Sequence, residues 1–302
     1  MKWLLVSMIV LFGSITFASN APPSMPTEYW GRLYIGDSLA SDGTEVKYYD
    51  GTQWTTTTTK DGWYDIMMTG GDSDLTFAED PTCSEHWAQS KACIPCNDSD
   101  ASKKCSEGPK TGDTVHIQAN GVSVKARWSV DAAVGENVIA LIPLVEGWNM
   151  ISLPIEPQDP AFSSVISGLS GRKQVFTYDQ DWKSCDTTVP QSLCSLKTME
   201  VNKAYWLKSD IAQTLTIIGK ESDASTLSLK AGWNMVSFQL FEDNVKNIMS
   251  RLSGRKQVFY YNSAGKWESC DNTVPEKFWT LQGVEIAKGY WLQVDSDQDW
   301  VR

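Results

Sequence analysis

The sequence predicts a mainly β protein: an N-terminal β-sandwich followed by two homologous β-rich repeats, each with one short helix. Three observations lead there. The 302 residues include 14 Trp and 21 Gly with only 21% charged side chains, a composition of turns and aromatic, half-buried strands. Over residues 27–142 short apolar runs alternate with Gly and Asp turns. Beyond them, Gly147-Trp148-Asn149-Met150 returns as Gly232-Trp233-Asn234-Met235, an offset of 85.

The chain opens with Lys2, an apolar run from Trp3 to Phe17, and Ala18. Residues 1–18 read as a secretory signal peptide, because the apolar stretch is shorter than the roughly 20 residues that span a bilayer. Residues 19–26, with Pro22, Pro23 and Pro26, read as an N-terminal arm. No membrane span is expected after signal cleavage, and the polar end from Asp297 to Arg302 carries no anchor, so attachment to a surface would go through a partner.

The sandwich is expected over 27–142, with strands at Tyr29–Ile35, Glu45–Tyr49, Gln53–Thr59, Trp63–Thr69, Thr114–Ala119 and Val122–Val130. Asp50-Gly51 and Asp61-Gly62 are hairpin signals. A polar, cysteine-rich insert at 80–112 interrupts the module.

The repeats are assigned to 143–222 and 223–302. Leu169–Phe176 returns unchanged at Leu252–Phe259, and Trp182/Trp267, Cys185/Cys270, Pro190/Pro275 and Tyr205-Trp206/Tyr290-Trp291 follow in order. In the first, Asp159 is the cap candidate, Pro160 takes the first helical position, Phe162, Val165, Ile166 and Leu169 form a stripe, and Gly171 ends the helix. In the second, Asp243 is the cap candidate, Val245, Ile248, Met249 and Leu252 make the stripe, and Gly254 stops it. The strand Thr214–Ile218 that closes the first would begin at Asp299 in the second and run past Arg302. The second repeat is therefore expected to expose an apolar edge, which either the arm at 19–26 of another copy or the chain's own short tail Asp295 to Arg302 covers.

The run Tyr29-Trp30-Gly31-Arg32-Leu33-Tyr34-Ile35, the Asp-Gly turn and Gly62-Trp63-Tyr64 before a strand resemble the transthyretin-like modules of carboxypeptidase regulatory and Cna B type. The Gly-Trp-Asn segments that close on Tyr-Trp resemble tandem repeats of large microbial surface proteins. The resemblance implies a secreted, non-enzymatic surface protein.

Cys83, Cys93, Cys96 and Cys105 lie in the insert with a C-x-x-C step. Four thiolates would suit zinc, with His86 nearby, but an exported chain favours two disulfides, of which three connectivities are open. Cys185 and Cys194 are close enough to bridge. Cys270 has no such mate, since Trp279 stands where Cys194 would recur, leaving a buried thiol, an interchain bridge or a pairing across the repeats. Asn97 heads a glycosylation sequon.

Arg172, Lys173, Arg255 and Lys256 form the densest positive charge, read either as a docking patch for an acidic partner or as cations complementing helix ends. Asp295, Asp297 and Asp299 suggest calcium but lack the loop glycine and distal Glu, so solvated turns are expected. Trp148, Trp206, Trp233 and Trp291 recur and are expected in the core, whereas Trp30, Trp54, Trp63, Trp87 and Trp128 are the better candidates for exposure.

A formal charge of −11 argues against nucleic acid. No nucleophile motif or triad is present, and only His86 and His116 are available as imidazole bases, so neither an enzyme nor a cofactor is expected. The function expected is a secreted structural or adhesive protein at the cell surface, self-associating or binding other surface proteins, and a candidate subunit of a head-to-tail filament. The alternative is a soluble carbohydrate-binding protein that takes polysaccharide; a glycoside hydrolase is the weak third.

Overall fold

The computed structural model describes residues 27–49, 54–68, 114–127, 137–223, 225–239 and 242–301. The insert cysteines, His86, Asn97, Trp87, Trp128, the Asp50-Gly51 turn, the signal segment and the arm lie outside these residues. The described chain is mainly β, with several sheets and two short helices. None of its helices is long and apolar enough to cross a membrane.

The first core lies between two sheets. One is antiparallel, in the order β4 (Trp54–Thr58), β3 (Glu45–Tyr49), β6 (Thr114–Ala119), β7 (Val122–Arg127). Asn120-Gly121 turns β6 into β7 with φ of 48° and 74°, which suits a two-residue hairpin. Asp61-Gly62, with φ of 53° and 77°, turns the chain into β5 (Trp63–Met68), which pairs along β1 (Thr27–Ile35).

The second sheet is mixed. β1 lies parallel to β8 (Val138–Leu144), with Leu33 opposite Ile139 and Ile35 opposite Leu141, and β8 is antiparallel to β14 (Gln213–Lys220). The short β2 (Ser38–Leu39) and β10 (Glu156–Pro157) flank them. The apolar run V-I-A-L-I-P-L of β8 follows from its position, since a strand covered on both faces needs apolar residues at successive positions. Ile139 and Leu141 join Leu33, Val46, Tyr48, Tyr64 and Ile117 in one core, while Val138, Ala140, Ile142 and Leu144 join Ile151, Phe162, Val175, Tyr205 and Leu215 in the next. The boundary expected between 142 and 143 therefore falls inside a strand shared by two cores.

Two further four-stranded sheets follow. The first has the order β12 (Asp181–Asp186), β11 (Lys173–Asp179), β13 (Ala204–Ser209), β9 (Gly147–Ser152); the second has β19 (Trp267–Asp271), β18 (Lys256–Tyr261), β21 (Tyr290–Val294), β16 (Gly232–Val236). Both are antiparallel. They meet through main-chain contacts: the Ser152 amide donates to Ala287 O at 2.8 Å and the Ser237 amide to Asn202 O at 3.1 Å.

The helices are shorter than their apolar stripes predict. α1 covers only Phe162–Val165, because the chain turns after Ile166 and Leu169 is placed by a turn. Asp159 does accept from the Ala161 amide at 3.0 Å and the Ser164 hydroxyl at 2.6 Å, but the residue in the cap position is Ala161. α2 covers Val245–Ser250, and its cap is Asn244, whose side chain accepts from the Lys246 amide at 2.8 Å. Asp243 instead accepts from the Asn244 amide and from Asn247. β17 (Glu242–Asn244) runs into α2 and pairs with β20 (Gly283–Glu285).

The edge near the C-terminus is covered by the chain's own tail, one of the two covers expected for it. β22 (Gln298–Val301) starts 85 residues after the start of β14 (Gln213–Lys220), in the same register, and pairs along all of β15 (Thr226–Leu229). Trp300 is buried beneath Arg251, whose guanidinium lies 5.7 Å from the ring and donates to Val301 O at 3.2 Å.

Candidate functional site: an aromatic cleft between two sheets

The Gly-Trp-Asn-Met segments build the site by local chemistry. Gly147 and Gly232 take φ of 98° and 99°, which glycine alone adopts without strain. Asn149 closes the turn: its Oδ1 accepts from the Val145 amide at 2.8 Å, and its Nδ2 donates to Val145 O at 2.9 Å and Gly147 O at 3.1 Å. Asn234 does the same to Lys230 N, Lys230 O and Gly232 O at 2.9, 2.8 and 3.2 Å. With the turn fixed, Trp148 and Trp233 stand on the sheet face, and Met150 and Met235 pack together in a small buried cluster with Ala204.

The Tyr-Trp pairs split by the alternation of a strand. Tyr205 and Tyr290 point into the cores, their hydroxyls accepting from the Glu200 and Glu285 amides at 2.7 and 2.8 Å. Their neighbours Trp206 and Trp291 point the other way, onto the aromatic face. Burial raises both tyrosine pKa values far above the usual range.

The rings pair with matching geometry, first within each sheet and then, through Tyr178, Tyr261, Trp182 and Trp267, across the two. Trp148 meets Trp206 at 6.0 Å and 89°, and Trp233 meets Trp291 at 6.0 Å and 89°. Tyr178 lies 5.7 Å from Trp291, and Tyr261 lies 5.1 Å from Trp206. Trp182 lies 5.8 Å from Trp291, and Trp267 lies 5.7 Å from Trp206. Offset and edge-on contacts of this kind are what aromatic quadrupoles favour. Tyr178, Trp182, Trp233, Phe259, Trp267 and Trp291 line an open cleft of about 770 Å³.

Of the recurring tryptophans expected in the core, Trp206 and Trp291 are partly buried against Met150, Ala204 and Met235, whereas Trp148 and Trp233 are not core residues. Trp148 and Trp233 are each 38% exposed, and Trp182 and Trp267 reach 56% and 51%. Recurrence in sequence marks a retained position without saying which face it occupies. In the N-terminal module Trp54 and Trp63 are also exposed, with Trp63 stacked on Trp30 at 5.9 Å and Arg32 lying 4.8 Å over its ring. Arg32 in turn meets Glu221 at 2.8 Å.

Arg172, Lys173, Arg255 and Lys256, read either as a docking patch or as cations at helix ends, are each engaged by the chain's own groups. Lys173 and Lys256 are 2% and 8% exposed, and their ammonium groups turn back onto the carbonyls of Gly171 and Leu252. Burial lowers both lysine pKa values. Arg172 is paired with Asp186, and Arg255 meets Asp271 at 3.2 Å. The hydrogen bond from Arg172, followed by the Thr188 amide, pulls the Asp186 pKa far below the usual carboxylate range. At Asp271 burial acts upward but is outweighed by hydrogen bonds from Gln257, Thr273 and Arg255, so its pKa also falls well below. The guanidinium charge is spent on the chain's own carboxylates at one end of the aromatic face.

Cys185 and Cys194 form a disulfide with Cα atoms 4.6 Å apart. Cys270 is a buried free thiol whose pKa burial pushes up to about 12. Trp279 occupies the place matching Cys194, and its indole donates to Asp271 O at 2.9 Å and Val274 O at 3.0 Å, tying the same loop without a bridge. Asp295, Asp297 and Asp299 do not converge: they accept from the Arg255 amide, Lys230 and Ser228 respectively. No group of His, Cys, Asp and Glu suited to a metal occurs among the described residues.

Sequence reasoning missed Trp182 and Trp267 as the most exposed large rings of the site. Their signal was present in the alternation of β12 and β19, where Trp182 and Trp267 precede Ser184 and Ser269 on one face while Cys185 and Cys270 are buried on the other.

Comparison with family models, with curated proteins and with solved structures finds no match to this chain.

Proposed function

We propose that the chain is an extracellular, non-enzymatic surface protein whose work is recognition and adhesion through the aromatic cleft. One observation carries this: large rings, the most exposed being Trp182 and Trp267, are held in solvent by β-strands and by hydrogen-bonded turns. Exposed aromatic area of this size is unfavourable unless it is used, and rigid aromatic side chains give contact area at little entropic cost. The apolar segment at 3–17 supports export, and the landmarks 85 residues apart support two copies of one module joined face to face. Beads coated with the purified chain, tested on panels of immobilised polysaccharides, proteins and microbial cells, should be retained on at least one class of surface. The double variant Trp182→Ala, Trp267→Ala should release them; retention nowhere, or retention unaffected by the substitutions, would overturn the proposal.

Self-assembly is the second reading, favoured by a difference between two strands. β8 carries β14 on one side and β1 on the other, whereas β15 pairs only with β22 among the described residues. An edge of that kind accepts an added strand from another copy. A chain that sediments as a monomer at high concentration would exclude it.

A further inference from the structure

The aromatic cleft is lined by Tyr178, Trp182, Trp233, Phe259, Trp267 and Trp291, and it brings together two tryptophans that stand 85 positions apart in sequence. We infer that the cleft binds a neutral polysaccharide chain of β-linked, equatorially substituted pyranoses, with Trp182 and Trp267 as two equivalent stacking platforms. This rests on the recognition reading above and names its ligand.

The lining excludes anionic ligands by charge. None of its six side chains is ionised at neutral pH, so the cleft offers nothing to a phosphate or uronate, and the chain's formal charge of −11 repels polyanions. An aromatic face carries negative π density. A pyranose whose hydroxyls are all equatorial presents axial C–H groups, weakly positive and apolar, on each face of its ring, and these complement an indole. Anionic ligands have no counterpart in the lining.

Polar groups share the strands with the rings, outside the lining itself. In strand register Ser184 is opposite Phe176 and Gln174 opposite Asp186, and Ser269 is opposite Phe259 and Gln257 opposite Asp271. Asp186 and Asp271 remain ionised acceptors, held by Arg172 and Arg255. An apolar lining with a few fixed polar groups beside it is the usual composition of a small-molecule site.

Each platform meets a tryptophan of the other sheet in matching geometry. Trp182 lies 5.8 Å from Trp291 at 69°, and Trp267 lies 5.7 Å from Trp206 at 71°. A chain ligand that engages both gains by effective concentration, so the loss of either platform should weaken binding to a similar extent.

The test uses the full mature chain in titration calorimetry with a β-1,4-glucan hexamer and in pull-down on cellulose. Binding should be measurable, should fall about tenfold in Trp182→Ala and by a similar factor in Trp267→Ala, and should disappear in the double variant. Trp182→Phe, which keeps a ring, should stay within about threefold, and Trp54→Ala in the N-terminal module should bind as the parent does. Unchanged melting temperatures in these variants separate loss of contact from loss of fold. Absence of hexamer binding, or tighter binding of polygalacturonate or of a proline-rich peptide, overturns the glycan inference. If the hexamer fails while the double variant still releases coated beads from another surface, the inference falls and the recognition reading stands. If neither substitution changes any contact, both fall.

Discussion

Gly289 lies so close to Ala204 that a Cβ on Gly289 would stand 2.6 Å from the Ala204 Cβ and 2.6 Å from the Ile151 carbonyl oxygen. The two residues are 85 positions apart and meet where the aromatic sheets touch, next to Met150 and Met235. The glycine is needed here for closeness rather than for an unusual φ. Gly289→Ala should therefore cost about 1–3 kcal/mol, the range for overpacking a filled contact. Chemical denaturation would measure it, and a loss below a few tenths of a kcal/mol would show that the sheets can part without strain.

The asparagines of the Gly-Trp-Asn segments are predicted to act through their turns. Asn149→Ala strips the Val145 amide and carbonyl of their side-chain partner, and Asn234→Ala does the same at Lys230. Each should cost about 1–2 kcal/mol, several hydrogen bonds being lost in a partly exposed place. Asn→Asp, which keeps the acceptor and loses the donor, should fall between parent and alanine. Because Trp148 and Trp233 stand on these turns, near-ultraviolet circular dichroism should change together with stability.

The reach of the sequence is clearest in the strands and weakest in what pairs with what. Glu45–Tyr49 and Thr114–Ala119 are bounded by turn residues and alternate in burial over 45–49 and 116–119, so their limits can be read from spacing. The parallel pairing of Leu33 with Ile139 cannot, because nothing local in either strand names a partner across about a hundred residues. The helical stripe Phe162, Val165, Ile166, Leu169 misleads for another reason. A single turn of helix followed by tight turns buries Phe162, Val165 and Ile166 as well as a longer helix would. At the site, recurrence identifies Trp148 and Trp233, but burial on one face or exposure on the other depends on how the sheets stack, which is a tertiary fact.

The Cys185–Cys194 bridge closes a short loop that Trp279 holds by hydrogen bonds in the corresponding place. Replacing both cysteines by serine should lower stability by about 2–4 kcal/mol. Trp279→Ala should also destabilise, by loss of packing beside Leu281 and of two indole hydrogen bonds. Cys270 should resist thiol reagents in the native protein at pH 8, since burial holds its thiol protonated with a pKa near 12, and should react at once in denaturant. Fast native labelling would show that the loop opens.

Lys288 ties the second aromatic sheet to the N-terminal module, meeting Asp37 at 3.1 Å and pairing with Glu285 while its ammonium lies 5.5 Å over the Tyr260 ring. Burial, helped by the neighbouring Asp37, raises the Glu285 pKa, whereas the hydrogen bond with Glu285 lowers that of Asp37 despite burial. On acidification Glu285 therefore takes up a proton before Asp37, which stays ionised beside the lysine. Because the folded pKa of Glu285 lies above its unfolded value, its contribution to stability is complete below about pH 4.3 and is lost as pH rises through the folded pKa. Asp37 has the opposite sign: its contribution is complete above about pH 3.9 and is lost as pH falls. Glu285→Gln keeps a hydrogen-bond donor toward Asp37 and removes the titration. The stability of this variant relative to the parent should therefore increase as pH is raised from about 4 to 8. Paired denaturation curves across that range give the slope directly, and a flat difference, or one of reversed sign, would mean that Glu285 is ionised in the folded protein at acidic pH and takes up no proton before Asp37.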